Sequence, residues 1–322
     1  MTDVPTDAPA AASAAFPGGP AGAALVVAAF GRQSFVRLPD GGGRVAVSRG
    51  RRADVNVGDR VTVTVLDEQQ AVIERVLPRR NEFKRSDDWR SKRLAANIDQ
   101  VAVVIAGAPP FSDELVDRVL AAAQIEGIPA AIIANKCDLG DARAAVEPRL
   151  RLYESLDYPV FRIAAKAKPD EAIAALRPWL SARMTLLVGQ SGMGKSTLIN
   201  ALVPDADQAT RAISQALSSG THTTTFTRLF SLPATLDPIG GGSLIDSPGF
   251  QTFGLAHLSD SQRMHAMREF LPLLGGCRFN NCSHRDEPGC AIRAAVQAGS
   301  IDERRYRSYL RIGAEGGPVR GR

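Results

Sequence analysis

A glycine-rich turn at residues 189–197 carries the clearest chemistry in this sequence. It follows an apolar run at residues 184–188, which predicts a buried strand leading through the turn into a helix. Such a turn binds phosphate, because its backbone N–H groups and the helix N-terminus all point at the anion. Lys195 can reach the β- and γ-phosphates as a catalytic cation, and the Ser196 hydroxyl can bind Mg²⁺. The predicted nucleotide-binding residues here are Gly189, Gln190, Ser191, Gly192, Met193, Gly194, Lys195, Ser196 and Thr197.

A second motif, Asn-Lys-Cys-Asp at residues 135–138, identifies the base. The Asp138 carboxylate can accept hydrogen bonds from N1–H and the 2-amino group of guanine. Adenine would leave that acceptor unpaired at a large cost, so GTP is the expected nucleotide and an ATPase is the rival interpretation. Lys136 can lie along the base plane, and Asn135 can tie this loop to the phosphate loop.

Two shorter segments complete a GTPase-like set. In Asp-Ser-Pro-Gly at residues 246–249, Asp246 can hold Mg²⁺ through a water, and the Gly249 N–H can contact the γ-phosphate. Residues 163–166 follow the next predicted strand after Asn135, where GTPases place a Ser-Ala-Lys loop against the guanine. Ala164 replaces the serine, and its backbone N–H can still serve the base.

A run of threonines, residues 223–225, follows the predicted phosphate-loop helix and is preceded by His222. We expect Thr224 to supply a Mg²⁺-binding hydroxyl, with Thr223 as the alternative. Phe250 occupies the position where many GTPases have a water-orienting glutamine, and a phenyl ring cannot orient water. His222 is therefore the catalytic candidate, against the alternative that it has no role in hydrolysis. We call residues 218–225 the switch segment.

The order of these motifs is unusual. Ordinary GTPases run from the phosphate loop through the switch threonine to the Asn-Lys-x-Asp motif, whereas here residues 135–138 come first. A circular permutation explains this, because a site depends on where strand ends lie and not on chain order. The permutation also places residues 246–249 last, directly before the C-terminal segment.

Three of the four cysteines fall close together near the C-terminus, with one histidine between them. The spacing is C-x4-C-x-H-x5-C. Three thiolates and an imidazole suit a closed tetrahedral Zn²⁺ site of structural type, and reduced cysteines without metal are the alternative. The predicted ligands are Cys277, Cys282, His284 and Cys290.

The elements that position these motifs fall into three groups. About five short alternating strands between residues 25 and 77 suggest a small barrel, an OB-fold first, with or without an RNA contact. From residue 100, apolar strands alternate with helices, which predicts a mostly parallel sheet. Helices are expected beyond the cysteine cluster. The predicted domains are a disordered tail (1–23), an OB-fold RNA- or ribosome-binding domain (24–80), a permuted α/β GTPase domain (81–255) and a helical zinc-binding domain (256–322).

Composition and charge limit the predicted cellular location and partners of the chain. The apolar stretches are too short for a membrane span of ~20 residues, and a secretory signal is not evident, so we expect a cytoplasmic monomer without membrane contact. Net charge is +5, and residues 75–93 alone hold eight basic and three acidic residues with Phe83 and Trp89 between them. That segment is either an RNA-stacking surface or a solvated linker. The same choice applies to residues 304–322, with six arginines and with Tyr306 and Tyr309.

Together these motifs resemble the family of circularly permuted, ribosome small-subunit-dependent GTPase A proteins, RsgA. The resemblance covers roughly residues 25–312 and includes residues 96–101, the permuted motif order, Gly-Thr-His-Thr-Thr-Thr at 220–225, residues 246–250 and the cysteine cluster. It implies a GTP hydrolase that binds the small ribosomal subunit and its rRNA late in assembly and is stimulated by it. It also places the family's switch histidine on His222. Thr221, where a basic residue is common, and Ala164 depart from the pattern. The rival is a nucleotide-gated rRNA-binding assembly factor in which hydrolysis is incidental.

Overall fold

The structure is a computed structural model that describes residues 22–49, 54–86, 91–217, 226–238 and 240–314. The tail expected to be disordered lies outside the described residues up to position 21, as do Trp89 and the whole switch segment. Among the described helices, none is long and apolar enough to cross a membrane.

The N-terminal strands close into a five-stranded barrel. The strands are β1 (Ala24–Phe30), β2 (Gln33–Arg37), β3 (Gly43–Ser48), β4 (Arg60–Val65) and β5 (Gln70–Val76). They neighbour one another in the order β1-β2-β3-β5-β4, and β4 pairs back with β1. Strand β3 runs parallel to β5, and the other pairs are antiparallel. This is the OB-type barrel that the alternating pattern predicted, and its inward residues include Val26, Val36, Val61 and Ile73.

A β-hairpin follows the barrel, where the sequence suggested a solvated linker as one alternative. Strands β6 (Glu82–Ser86) and β7 (Ser91–Ala96) pair antiparallel as a separate two-stranded sheet. Phe83 is fully buried and lies against Phe253, with ring centroids 5.9 Å apart. Within the predicted segment 75–93, the solvated-linker interpretation is therefore wrong for residues 82–86 and 91–93, which are strands. The RNA-stacking alternative is wrong for Phe83, because a fully buried ring cannot stack on a base.

The central sheet has the alternating α/β character that the sequence predicted. Its strands are β8 (Gln100–Ala106), β9 (Ala130–Asn135), β10 (Val160–Arg162), β11 (Met184–Gly189), β12 (Arg228–Ser231) and β13 (Ser243–Asp246). Their order is β10-β9-β8-β11-β13-β12, all parallel except β12. The helices are α1 (Asp113–Ile125), α2 (Gly140–Ser155), α3 (Pro169–Leu180), α4 (Lys195–Leu202) and α5 (Ala206–Ala216).

The barrel strands and the central strands belong to one continuous hydrogen-bonded sheet. Strand β12 pairs antiparallel with barrel strand β1, with Ala28 opposite Arg228. On its other edge β12 pairs with β13, where Arg228 lies opposite Asp246. A short strand therefore connects the barrel to the strand that ends in Asp246.

The C-terminal part is helical. It contains α6 (Asp260–Met264), a 3₁₀ helix (Arg268–Leu273), α7 (Ala291–Gln297) and α8 (Glu303–Ala314). Met267, Phe270, Ile292 and Tyr309 form its small core together with two of the cysteines. Helix α8 packs on α1, so this unit rests against the side of the central sheet domain.

Candidate functional site

The sequence motifs meet at one edge of the central sheet. Asn135 ends β9, Gly189 ends β11 and Asp246 ends β13. These strands are parallel, β11 is adjacent to β13, and one strand, β8, lies between β9 and β11. Ligands of open α/β sheets bind outside the carboxyl ends of the strands. The edge where the motifs converge is therefore the candidate nucleotide site.

The phosphate loop has the backbone that its glycines allow. Gly192 and Gly194 have φ of +83° and +85°, a left-handed conformation that costs other residues free energy. A Cβ added to Gly194 would lie only 2.4 Å from Nδ2 of Asn135. Helix α4 begins at the next residue, Lys195, so its N-terminus faces the loop. The loop can present N–H groups to an anion, as the sequence predicted.

Lys195 connects the phosphate loop to residues 246–249. Its side chain is 9% exposed, and Nζ donates to the Asp246 carboxylate and to the Ser247 carbonyl oxygen. The hydroxyl of Ser247 in turn donates to the Leu187 carbonyl oxygen over 2.8 Å. Lys195 and Asp246, the predicted phosphate and Mg²⁺ contacts, thus lie side by side. Ser191, Ser196 and Thr197 are exposed on the same loop.

Asn135 joins the loops that the sequence assigned to base and phosphates. Its Nδ2 donates to the carbonyl oxygens of Met193 (3.2 Å) and Gly194 (3.4 Å), and its Oδ1 accepts from the Ala165 N–H (3.0 Å). Asn135 is 4% exposed, so these bonds are shielded from water. One buried amide therefore fixes the phosphate loop, residues 135–138 and residues 163–166 relative to one another.

Lys136 adds a second connection between the same loops. Its Nζ donates to the carbonyl oxygens of Gly192 and Ala108, each over 2.7 Å. The ammonium is thus held across the top of the phosphate loop. Its stem is available as an apolar surface for a planar base.

Asp138 lies exposed at a cleft of about 480 Å³. Ile163 and Ala164 line the same cleft, with Lys168 at its rim. Cys137 lies beside them, and burial raises the pKa of its thiol, so the thiol stays neutral near pH 7. Arg143, Arg162 and Glu171 also line the cleft, so charged side chains surround an apolar surface formed by Ile163 and three alanines. That surface lies beside the Asp138 carboxylate and suits a flat base with adjacent N–H donors.

After Asp246, Ser247 and Phe250 are buried whereas Gly249 is exposed. The Phe250 N–H donates to the Gly189 carbonyl oxygen over 3.2 Å, and its ring is 4% exposed. Gly249 lies against the phosphate loop, where an added Cβ would come 3.2 Å from the backbone nitrogen of Ser191. The Gly249 N–H is thus near the phosphate loop, whereas the ring of Phe250 packs inward against Phe253.

Sequence reasoning missed two supports of this site. The Gln190 side chain accepts a hydrogen bond from the N–H of Ser112 over 2.6 Å. Ser112 is the N-cap residue of α1, so this bond fixes the phosphate loop to that helix. The segment after Phe250 pairs with the hairpin, since Ser86 and Gly254 exchange backbone hydrogen bonds of 2.8 and 3.2 Å. Residues 246–249 therefore lead first to the hairpin and only then to the C-terminal helices. No local pattern could reveal either partner, because both are distant in sequence.

Three residues of the predicted site cannot be placed. His222, Thr223 and Thr224 lie in the switch segment, outside the described residues. Their predicted roles stay predictions. The described flanks are Leu217 on one side and Phe226 on the other.

The cysteine cluster assembles as the spacing predicted. One ligand atom from each of the four residues lies within 4.8 Å of the other three, and Nδ1 of His284 is 3.5 Å from Sγ of both Cys277 and Cys290. A tetrahedral ion with ligands ~2.3 Å away would bring them about 3.8 Å from one another, so the set fits a metal ion. Burial raises the pKa of Cys282 to about 12, and a bound cation would reverse this by stabilising the thiolate.

Groups outside the cluster hold its loop in place. Backbone N–H groups of Ala291 and Arg293 donate to Sγ of Cys277 (3.3 Å) and Cys290 (3.5 Å). The hydroxyl of Tyr309 donates to the Ser283 carbonyl oxygen over 2.8 Å, and that of Tyr306 to the His284 carbonyl oxygen over 2.7 Å. These two tyrosines therefore support the metal-binding loop, which corrects the RNA-facing interpretation of Tyr309, a side chain that is 5% exposed.

Comparison with known proteins decides the family. A family model described as RsgA GTPase matches residues 76–256. A relative from Paraburkholderia phytofirmans, named small ribosomal subunit biogenesis GTPase RsgA, is 50% identical over 89% of this chain and 91% of its own length. The chain belongs to the RsgA GTPase family. A protein of the same name from Bordetella pertussis is 49% identical over 89% of this chain and 94% of its own.

Solved structures share the fold of this RsgA family member. YjeQ from Thermotoga maritima aligns with a TM-score of 0.69 and 28% identity, over 94% of this chain and 99% of that one. YloQ, described as a circularly permuted GTPase, aligns with a TM-score of 0.65 and 23% identity, over 91% and 94% of the two chains. The permutation predicted from the motif order is thus confirmed. As a member of this family, the protein is a GTP-hydrolysing enzyme.

Proposed function

We propose that this GTPase acts in late maturation of the small ribosomal subunit and that the subunit and its rRNA stimulate GTP hydrolysis. The observation that carries the proposal is the loop junction at Asn135, which joins a guanine-type motif to a phosphate loop in a chain whose relatives are named for small-subunit biogenesis. The work would take place in the cytoplasm, with a single copy of the chain on each subunit.

The base-binding half of the site would read guanine through one carboxylate. Asp138 would accept from N1–H and from the 2-amino group, while the stem of Lys136 covers one face of the ring. The Ala164 N–H would donate a hydrogen bond to the carbonyl oxygen O6 of guanine. The cleft beside Asp138 supports this arrangement, because Ile163 and Ala164 give it an apolar surface and the Asp138 acceptor is exposed.

The phosphate-binding half would hold the charged end of the nucleotide. Lys195 would transfer its contact from Asp246 to the β- and γ-phosphates. The residues that would hold Mg²⁺ are Ser196, Asp246 and Thr224, and the ion would neutralise charge that develops on the phosphates. Gly249 would donate to the γ-phosphate, and the backbone N–H groups of residues 191–194 would surround the β-phosphate.

His222 would replace the missing glutamine in orienting or deprotonating the attacking water. Support comes from Phe250, whose buried ring leaves that position without a polar group. The rival assembly-factor interpretation, in which binding is the function and hydrolysis is incidental, requires no such residue.

The decisive experiment measures turnover of GTP and of ATP with and without purified small subunits. We expect GTP turnover to rise at least tenfold with subunits, and ATP to be a poor substrate with or without them. His222→Ala should lose about 10²–10⁴-fold of the stimulated rate, as expected for a general acid or base, and retain GTP binding. An unchanged GTP rate with subunits would favour the rival, and an unchanged stimulated rate in His222→Ala would remove that residue from the mechanism.

The four-residue cluster would bind one structural Zn²⁺. Elemental analysis of the purified protein is expected to find one equivalent of zinc, and Cys282→Ser should lose it because three ligands no longer close the tetrahedron. Cys137→Ser is the matched control, since Cys137 lies in the nucleotide motif and should leave zinc content unchanged. Zinc absent from the parent protein, or lost equally in both variants, would contradict the assignment.

A further inference from the structure

The barrel contacts the chain on both sides of the switch segment. On the N-terminal side, Ile213 and Leu217 from the end of α5 pack against Ala28 of β1. Leu217 is 2% exposed, so this contact is a buried one. The residue that enters the switch segment is therefore fixed on a barrel strand.

The C-terminal side of the segment is fixed on the same strand. Phe226, the first described residue after the segment, meets Phe30 of β1 edge to face, with ring centroids 6.0 Å apart and an interplanar angle of 62°. The guanidinium of Arg228 lies over the Phe226 ring, 4.4 Å from its centroid. Phe226 thus contacts both an aromatic ring of the barrel and a cation of the central sheet.

Arg228 connects this stack to the candidate Mg²⁺ side of the site. It is 4% exposed, and among the described residues its Nε has no hydrogen-bond partner. In the sheet it lies opposite Ala28 of the barrel and also opposite Asp246. Arg228, whose guanidinium lies over Phe226, is therefore paired across the sheet with Asp246, the predicted Mg²⁺-binding residue.

We propose that Phe30, a barrel residue, is a positioning residue for GTP hydrolysis. It acts through Phe226, by fixing the two-residue connection between the switch segment and the start of β12 at Arg228. The barrel would then set the geometry of the catalytic side of the site in addition to any role in binding a partner. This inference rests on the proposed function for the roles of the switch residues, although the contacts themselves stand apart from it.

Phe30 is suited to a direct test because its side chain is 46% exposed, so truncation removes little buried surface. Phe30→Ala should lower kcat for GTP by about two- to tenfold, the amount that one aromatic pair contributes, with and without small subunits. The KM for GTP and co-sedimentation with small subunits should not change. Phe30→Tyr should restore kcat, because the ring edge is kept.

Val65→Ala is the matched control. Val65 is 48% exposed on β4, and the β1–β4 register, with Ala24 opposite Val61, puts it at the far end of the barrel from Phe30. It should leave kcat unchanged. Phe226→Ala should lose at least as much kcat as Phe30→Ala, because it also removes the contact with Arg228. The double variant should lose no more than Phe226→Ala, since the Phe30–Phe226 contact is already absent there.

Three outcomes would overturn the inference. They are an unchanged kcat in Phe30→Ala, additive losses in the double variant, or a loss of subunit binding that accounts for the whole effect, which would make Phe30 a partner contact. Failure of the proposed function appears differently, as a parent protein that subunits do not stimulate. In that case the unstimulated kcat of the same variants still decides the role of Phe30.

Discussion

Replacing Asp138 with asparagine is expected to change the preferred nucleotide from GTP to xanthosine triphosphate. The carboxylate offers two acceptors to guanine, and the asparagine amide replaces one of them with an N–H₂ donor that faces the 2-amino group of the base. Losing one hydrogen bond to a charged group costs about 1.5–3 kcal/mol, and a buried donor left facing another donor costs about 1–3 kcal/mol more, so GTP affinity should fall about 10²–10⁴-fold. Xanthine has an oxygen at that position and can accept from the amide.

The measurement is a competition assay in which GTP, xanthosine triphosphate and ATP displace a fluorescent guanine nucleotide. Asp141→Asn is the matched control, because Asp141 is an exposed carboxylate at the start of α2 and its loss makes the same change in charge. It should bind GTP as the parent does. A variant at Asp138 that keeps its GTP preference would refute the base assignment, and ATP competing as well as GTP against the parent would favour the ATPase rival.

Elements whose signal is local could be predicted from the sequence. The alternation of valine and threonine at residues 60–65 is typical of a strand, and β4 occupies these residues. Helix α1 likewise has local signals at both ends: the Ser112 side chain accepts from the Leu115 N–H at its start, and Gly127 and Pro129 follow its end. The phosphate loop and its neighbours were found for the same reason, since each motif is contiguous and lies at the end of an apolar strand.

Elements that depend on distant partners were missed. Strand β12 has four residues and gave no clear periodic signal, and its two neighbours in the sheet position it. The basic residues of the hairpin left two alternatives, an RNA-stacking surface or a solvated linker, because its buried ring, Phe83, packs against Phe253, far along the chain. The Asn135 contact to Met193 was foreseen, whereas its bond to Ala165 was not.

The arginines of α8 show that the partners of charged residues cannot be predicted from sequence order either. A basic run predicts a surface for an anionic partner unless buried carboxylates meet it, and sequence order cannot show where those carboxylates lie. Here Arg305 is 1% exposed and contacts Asp117 on α1 and Glu269 on the 3₁₀ helix. Arg311, which is exposed, still pairs with Glu114 on α1 at 2.5 Å. These arginines fix the helical C-terminal part to α1 of the GTPase domain. The RNA-facing interpretation is therefore wrong for Arg305.

Arg305→Met, which removes this buried guanidinium, is expected to destabilise the protein more than the other single substitutions proposed above. Arg305 donates to Asp117 Oδ1 over 2.6 Å and to the two oxygens of Glu269 over 2.7 and 3.0 Å. Burial opposes the charge, but the two carboxylates outweigh it and keep the pKa of Arg305 well above its ordinary value. Arg305→Met would leave two buried carboxylates without a cation and should cost about 3–5 kcal/mol in the free energy of unfolding.

Urea denaturation followed by circular dichroism measures this loss. Arg307→Met is the matched control two residues along α8, where an exposed pair with Glu303 should contribute at most about 0.5 kcal/mol. Adding Glu269→Leu to Arg305→Met should recover part of the loss, because it removes one of the two uncompensated charges. Equal effects at positions 305 and 307, or a second substitution that adds to the loss, would show that this ion-pair network does not hold the C-terminal unit on α1.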